Sequence, residues 1–138
     1  MDAIELLKSH HLKKTAPRVA IINALIAGHM PQSEAEIKSV IGALYDRITF
    51  YRSVHSLLEV GLIHKIVVDN LLVKYALNDC ANGHTHEVDH AHFYCKQCNA
   101  VICLSHIKTP SCDLPDGYSE SECDVLVKGY CNSCHQRN

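Results

Sequence analysis

The sequence predicts an α+β fold in two parts, and three observations predict it. Apolar residues recur at helical spacing through residues 4–58. Two β-rich runs follow at once, before residue 78. All eight cysteines then lie between Cys80 and Cys134. With 138 residues, the chain is long enough for one ordinary domain or two small ones. Two domains of roughly 65–75 residues each would be marginal alone, so a metal or a partner subunit is the expected help.

Charge divides the chain in the same place. Residues 1–75 carry nine Lys and Arg against seven Asp and Glu, a balance of +2, whereas residues 76–138 carry four against eight, a balance of −4. The expected organisation is an N-terminal domain over residues 1–79 and a C-terminal domain over residues 80–138. No run approaches the roughly 18 apolar residues of a membrane span. The opening Met1-Asp2-Ala3-Ile4-Glu5 carries acid where a secretory leader has basic residues. The expectation is a cytoplasmic protein without a membrane partner, in which cysteines serve metal binding or redox chemistry before disulfides.

Residues 2–10 form the first expected helix, with Ile4, Leu6 and Leu7 apolar. Thr15 caps a second, with Pro17 in its first turn, where a missing N–H costs little. Val19, Ile21, Ile22, Leu25 and Ile26 give that helix its apolar face, and Gly28 is expected to end it. Ser33-Glu34-Ala35-Glu36 is a capping box that opens a third helix. Asp46 caps a fourth, running through Phe50, Val54, Leu57 and Leu58 to Gly61. The period then changes: Leu62 to Val68 and Leu71 to Leu77 are strands joined at Asp69-Asn70. Helices followed by a hairpin make a winged helix-turn-helix, whose fourth helix would read DNA. Short helical domains of this kind also serve as protein-binding modules.

The C-terminal part reads as a small α/β domain. A His-rich stretch from Asn78 to His92 precedes Phe93-Tyr94-Cys95-Lys96-Gln97-Cys98. Strands are expected from Ala100 to Leu104 and from Cys123 to Tyr130, with a loop or short helix holding two prolines between them. Cys95-x-x-Cys98 and Cys131-x-x-Cys134 are two knuckles supplying four thiolates, the set that tetrahedral Zn²⁺ accepts at about 2.3 Å. The 32 residues between them require a subdomain rather than a compact ribbon. A redox CxxC is the competing reading of either knuckle alone. The closed four-sulfur set points to structural zinc that stabilises the fold.

A second set is less tidy. His84, His86, His90 and His92 form two H-x-H pairs, and an extended backbone from His90 to His92 would aim both imidazoles the same way. Neutral imidazole suits zinc, iron, nickel and copper. The alternative is a solvated loop with stray histidines, which weighs more heavily on His84 and His86. Cys80, Cys103 and Cys123 remain outside the knuckles, and Cys112 is expected to have no ligand role.

Four segments together resemble the ferric uptake regulator family of bacterial metalloregulators over nearly the whole chain. They are Leu12-Lys13-Lys14-Thr15-Ala16-Pro17-Arg18, Thr49-Phe50-Tyr51-Arg52, Leu57-Leu58-Glu59-Val60-Gly61-Leu62 and His90-Ala91-His92-Phe93-Tyr94-Cys95-x-x-Cys98. The resemblance implies a homodimer joined through the C-terminal domain. It implies a transcriptional repressor of metal-uptake genes that binds a palindromic double-stranded operator when its sensing site is loaded. It places Lys13 in a minor groove, Tyr51 and Arg52 in the major groove, and Arg18 and Thr49 on phosphates. Physical chemistry agrees: Arg52 can bridge guanine O6 and N7, and a Tyr51 ring can pack on a thymine methyl.

The sensing site departs from the family's iron pattern. Ala76 stands after Tyr75, where iron and peroxide sensors carry an acid. Cys103 stands where a second acid is expected, and His29 is displaced by about two positions from the histidine that precedes the third helix. The resemblance is closer to the zinc-sensing branch, which implies His64, Cys80, His90 and His92 as sensing ligands, with Cys103 competing for a place. Cys123 falls where a third metal site can lie. The expected function is therefore a zinc-responsive repressor with Zn²⁺ as its structural ion. An iron-responsive repressor would use Fe²⁺ with His29, His90, His92 and Cys103; a peroxide sensor lacks its oxygen-rich site. A thiol-redox switch is the reading from a different class. There is no nucleophile motif, phosphate loop or H-E-x-x-H, so an enzyme is not expected.

Overall fold

Each helix of the N-terminal half begins at a side chain that accepts from its first turn. The computed structural model describes residues 2–69, 72–78, 90–108, 113–120 and 123–135. Helix α1 (Ala3–Ser9) starts at Asp2, whose carboxylate and Glu5 form a capping box. Helix α2 (Ala16–Gly28) starts at Thr15, and α3 (Glu34–Ile41) at Ser33, where Glu36 returns a bond to the cap backbone. A single 3-10 turn, Gly42–Leu44, leads to α4 (Arg47–Glu59), capped by Asp46 Oδ2 accepting from Thr49 N at 2.9 Å. Such caps satisfy donors that the helix geometry orphans.

One sheet closes this half in the strand order β1-β3-β2. Strand β1 is Gln32–Ser33, β2 is Ile63–Val67 and β3 is Val73–Leu77. The hairpin register sets His64 opposite Ala76 and Lys65 opposite Tyr75. Leu7, Ile21, Ile22, Ile37, Phe50, Leu57, Leu62 and Ile63 are fully buried in one core, and each such side chain contributes about 1.5–3 kcal/mol on leaving water. Phe50 also meets Tyr45 and Tyr75 at ring centroid separations of 5.7 and 6.2 Å.

The second half carries its own sheet, ordered β5-β4-β6, from β4 (His90–Cys95), β5 (Val101–Lys108) and β6 (Leu126–Gly129). Strands β4 and β5 are antiparallel, with a bulge between His90 and Ala91; β4 and β6 are parallel. A one-turn helix, α5 (Asn132–His135), follows. Contacts divide the chain into Met1–Gly83 and His84–Asn138.

Three strands differ from the sequence reading, while the end of α2 follows it. Gly28 ends α2 as expected, and His29 follows it in the left-handed position at φ 54°. A Cβ at Gly28 would lie 1.6 Å from Gln32 Nε2, so a larger residue would displace that side chain from Ala24 O, to which it donates at 2.8 Å. Strand β1 was not expected, because two residues carry no period and its conformation comes from pairing with β3. Strand β5 continues past Leu104 to Lys108 across the bulge. Strand β6 is shorter than Cys123 to Tyr130, because its ladder with β4 spans only Leu126 to Gly129.

Candidate metal centre and nucleic-acid face

The four knuckle cysteines converge. Cys95 ends β4, Cys98 closes the turn after it, Cys131 follows β6 and Cys134 lies in α5. Their four Sγ atoms all lie within 4.8 Å of one another. The parallel pairing of β4 with β6 brings the knuckles together by setting Cys95 opposite Gly129. A Gly129 Cβ would come 3.3 Å from the Phe93 ring, so the small residue lets the strands close at this point. Asn99 turns the chain out of the first knuckle at φ 63°, a conformation asparagine tolerates, and its side chain accepts from Tyr94 Oη at 2.7 Å.

The sulfur positions fit zinc. A tetrahedron with Zn–S bonds of about 2.3 Å has edges of about 3.8 Å. The Cys98 and Cys131 Sγ atoms stand 3.8 Å apart, and Cys131 N donates to Cys95 Sγ at 3.5 Å. Backbone N–H groups of Cys98 and Cys131 aimed at the Cys95 sulfur pull that thiol down to about 6. The neighbouring Cys131 sulfur and burial push Cys134 up to about 12. Four sulfurs this close cannot all carry negative charge without a cation among them, which a divalent ion supplies. All four would be ligands, leaving no open position for substrate.

His92 and Cys103 form a second pair in the same unit. They sit opposite each other on β4 and β5, on one face, with ligand atoms within 4.8 Å. Both are half-buried, and burial pushes the Cys103 thiol up to about 11. His90 opens β4. Cys123 is half-buried in the segment leading to β6. Cys80, His84, His86 and Cys112 lie outside the described residues.

His64 projects from β2, half-buried, with Nδ1 2.5 Å from Asn78 Oδ1. Asn78 Nδ2 donates to Gly61 O at 2.6 Å, which fixes the amide so that its oxygen faces the ring. The Nδ1–H therefore donates, and Nε2 carries the lone pair in that tautomer. Asn78 was not singled out from sequence. Its signal, an amide one residue beyond the wing, is too common to read unaided. His29 is exposed at the end of α2.

The outer side of α4 faces away from Phe50, Ser53, Val54 and Leu57, which it buries. Arg52 is exposed there and Tyr51 is 45% exposed. Thr49 is half-buried at the first turn, its N–H bound to Asp46. Lys13 is exposed before α2, and its carbonyl accepts from Arg18 Nη1 at 2.6 Å. Arg18 Nε also donates to Ser56 Oγ at 3.2 Å, tying the start of α2 to α4. Tyr51 is not a bare surface ring: its hydroxyl donates to Glu34 Oε2 at 2.6 Å.

The fold and these sites define a winged-helix protein with a four-thiolate metal centre. Comparison with known proteins carries this further. The sequence profile of the ferric uptake regulator family matches residues 9–112, and the chain belongs to that family, whose members are DNA-binding, metal-binding transcriptional regulators rather than enzymes. The transcriptional regulator FurA of Mycobacterium tuberculosis is 27% identical, over 96% of this chain and 90% of its own. Among solved structures, a zinc uptake regulator complexed with zinc and DNA superposes with a TM-score of 0.71 at 18% identity, covering 98% of this chain and 91% of that one. The Vibrio cholerae ferric uptake regulator gives 0.62 at 20%, covering 94% and 100%. Among the described residues no helix is long and apolar enough to cross a membrane.

Proposed function

We propose that this regulator of metal uptake is a zinc-responsive repressor, acting in the cytoplasm as a homodimer on a palindromic operator. The observation that carries the zinc reading is the His92–Cys103 pair, an imidazole and a thiol on facing strand positions with ligand atoms within 4.8 Å. A sulfur in the set favours zinc over the oxygen-rich surroundings that hold iron. Ala76 adds to this, because the hairpin supplies no carboxylate after Tyr75. The sensing set is assigned to His64, Cys80, His90, His92 and Cys103, of which four suffice for a tetrahedral ion. Structural zinc is assigned to Cys95, Cys98, Cys131 and Cys134. His29, His84, His86 and Cys123 are left as accessory ligands.

For DNA, Arg52 and Tyr51 are assigned to base edges, Lys13 to the minor groove, and Arg18 and Thr49 to phosphates. Exposed Ile102 and Ile107 on β5, an edge of its sheet among the described residues, support an interface with a second copy through residues 80–138. The domain boundary is assigned near residue 79.

An iron-responsive repressor built on His29, His90, His92 and Cys103 is the second reading, favoured by the match to FurA. Anaerobic titration of the two metals, read as binding to duplexes selected by the protein, separates them. Two zinc ions per chain, the second switching on DNA binding below the Fe²⁺ concentration that does so, support zinc sensing; the reverse order sinks it. His64→Ala leaving the metal response unchanged would also favour iron. No metal-dependent DNA binding would leave a thiol-redox switch.

A further inference from the structure

We propose that Glu34 is a specificity-determining positioning residue: by accepting the Tyr51 hydroxyl proton in a hydrogen bond, it makes Tyr51 face DNA as a ring and an acceptor, never as a donor. The inference rests on the reading above that Tyr51 meets a base edge.

Glu34 is the first residue of α3 and Tyr51 lies in α4, 17 residues on. The Tyr51 hydroxyl donates to Oε2, while the Tyr45 hydroxyl donates to Oε1 of the same carboxylate. Both oxygens of Glu34 are thus engaged by phenols, and the carboxylate cannot turn towards one without leaving the other. Cations stand at both ends of the group. Lys38 Nζ lies 4.9 Å from the Tyr45 ring centroid, and the Arg47 guanidinium lies 6.0 Å from that of Tyr51. Burial alone would raise the Glu34 carboxyl, but the two hydroxyls and the two cations outweigh it and hold it below its usual range. The Tyr51 ring also meets Phe50 edge-on at 5.6 Å, so its rotamer is held from the core side.

A phenol has one O–H to give and lone pairs to accept with. With that O–H committed, the Tyr51 oxygen can only accept. In a major groove it would favour adenine N6 or cytosine N4 amino groups, while its ring packs on a thymine methyl. It would be repelled by an acceptor edge, guanine O6 and N7 or thymine O4. A tyrosine held in place before binding also loses little side-chain freedom on docking. In Glu34→Gln only one amide oxygen remains to accept. The part-buried Tyr45 hydroxyl has the stronger claim on that oxygen, so the NH₂ group faces the exposed Tyr51, whose hydroxyl is freed to donate outwards.

The test is selection of binding sites from a duplex library with a randomised core, using the zinc-loaded full chain. Wild type, Glu34→Gln, Tyr51→Phe and the double variant are compared. Tyr51→Phe should flatten one position in each half-site, at which the wild type prefers an amino-bearing base edge. Glu34→Gln should admit guanine or thymine there, a change of about tenfold, and leave the position that Arg52→Ala flattens untouched. In the Tyr51→Phe background Glu34→Gln should leave base preference unchanged. A Glu34→Gln effect spread evenly over all sequences would reduce Glu34 to a surface charge and overturn the inference. So would no flattening by Tyr51→Phe, or a wild-type preference for an acceptor edge at that position. These last two readouts stand even if Glu34→Gln fails to fold. If the wild type selects no sequence with zinc or iron, DNA reading itself fails and the inference falls with it.

Discussion

Lys74, on the second strand of the wing, reaches across to the first turn of α3, where its Nζ lies 3.2 Å from Glu36 Oε1. The lysine is 4% exposed, whereas the Glu36 side chain remains half-exposed. The same carboxylate accepts from Ser33 N at 2.8 Å, so one side chain closes the α3 cap and neutralises a buried ammonium.

The two partners should therefore respond unequally to mutation. Glu36→Ala strands a buried cation and opens the cap, and should cost about 2–3 kcal/mol, discounted from the fully buried case because Glu36 is half in solvent. Lys74→Met, which fills the space without charge, should stay within about 1 kcal/mol of wild type. Urea unfolding of both variants checks the ordering, and equal losses would mean the pair matters only as packing.

Asp46 gives the acid limb of stability a named contributor. Hydrogen bonds from the Thr49 side chain and backbone lower its carboxyl in the folded state. A lowered folded value means the stabilisation is present above the unfolded value, near 3.8, and is lost as pH falls through the folded one. Asp46→Asn keeps an accepting cap without the charge. Its thermal midpoint should fall less steeply below pH 4 than that of wild type, and superimposable pH profiles would remove Asp46 from the account.

Arg52 and Arg18 should separate base reading from backbone attachment. Arg52→Ala should lower affinity for the best sequence by about 1–3 kcal/mol and relax preference at one guanine. Arg18→Ala should weaken all sequences alike, lower the salt slope by about 1, and also lower the melting temperature, because Arg18 bridges Ser56 and the Lys13 carbonyl. Salt-series titrations with melting curves would show whether the two fail differently.

Cys98→Ser should remove one tight zinc per chain and loosen residues 90–135, while leaving the helices of residues 3–59 folded. Metal analysis with hydrogen exchange resolves both effects. Full zinc retention would move the structural ion elsewhere.

Much of this molecule is legible in its sequence, for reasons visible in particular residues. Thr15, Ser33 and Asp46 stand before apolar periods, and each caps the helix it announces. The knuckles read clearly because two residues between cysteines leave little choice of geometry. What stayed hidden depends on partners far along the chain. Gln32–Ser33 is a strand only because β3 lies beside it. Lys74 looks like a solvated strand lysine until Glu36 is placed. Glu34 reads as half of a helix start, with nothing to show that it holds Tyr45 and Tyr51. The Asn78–His64 bond likewise needs the hairpin register before it exists. For the metal ligands, composition supplied candidates in excess, and it takes the strand register to show that His92 sits opposite Cys103.

The parallel alignment of β4 with β6 also bears on how the protein is made. The first knuckle can recruit no second pair of thiolates until Cys131 and Cys134 have been synthesised and β6 has docked beside β4. If the four thiolates hold zinc as proposed, its capture is a late event in maturation, and the first knuckle waits for the second before the site can close. On the zinc assignment proposed above, scarcity of the ion would lower the supply of competent regulator by holding back its maturation.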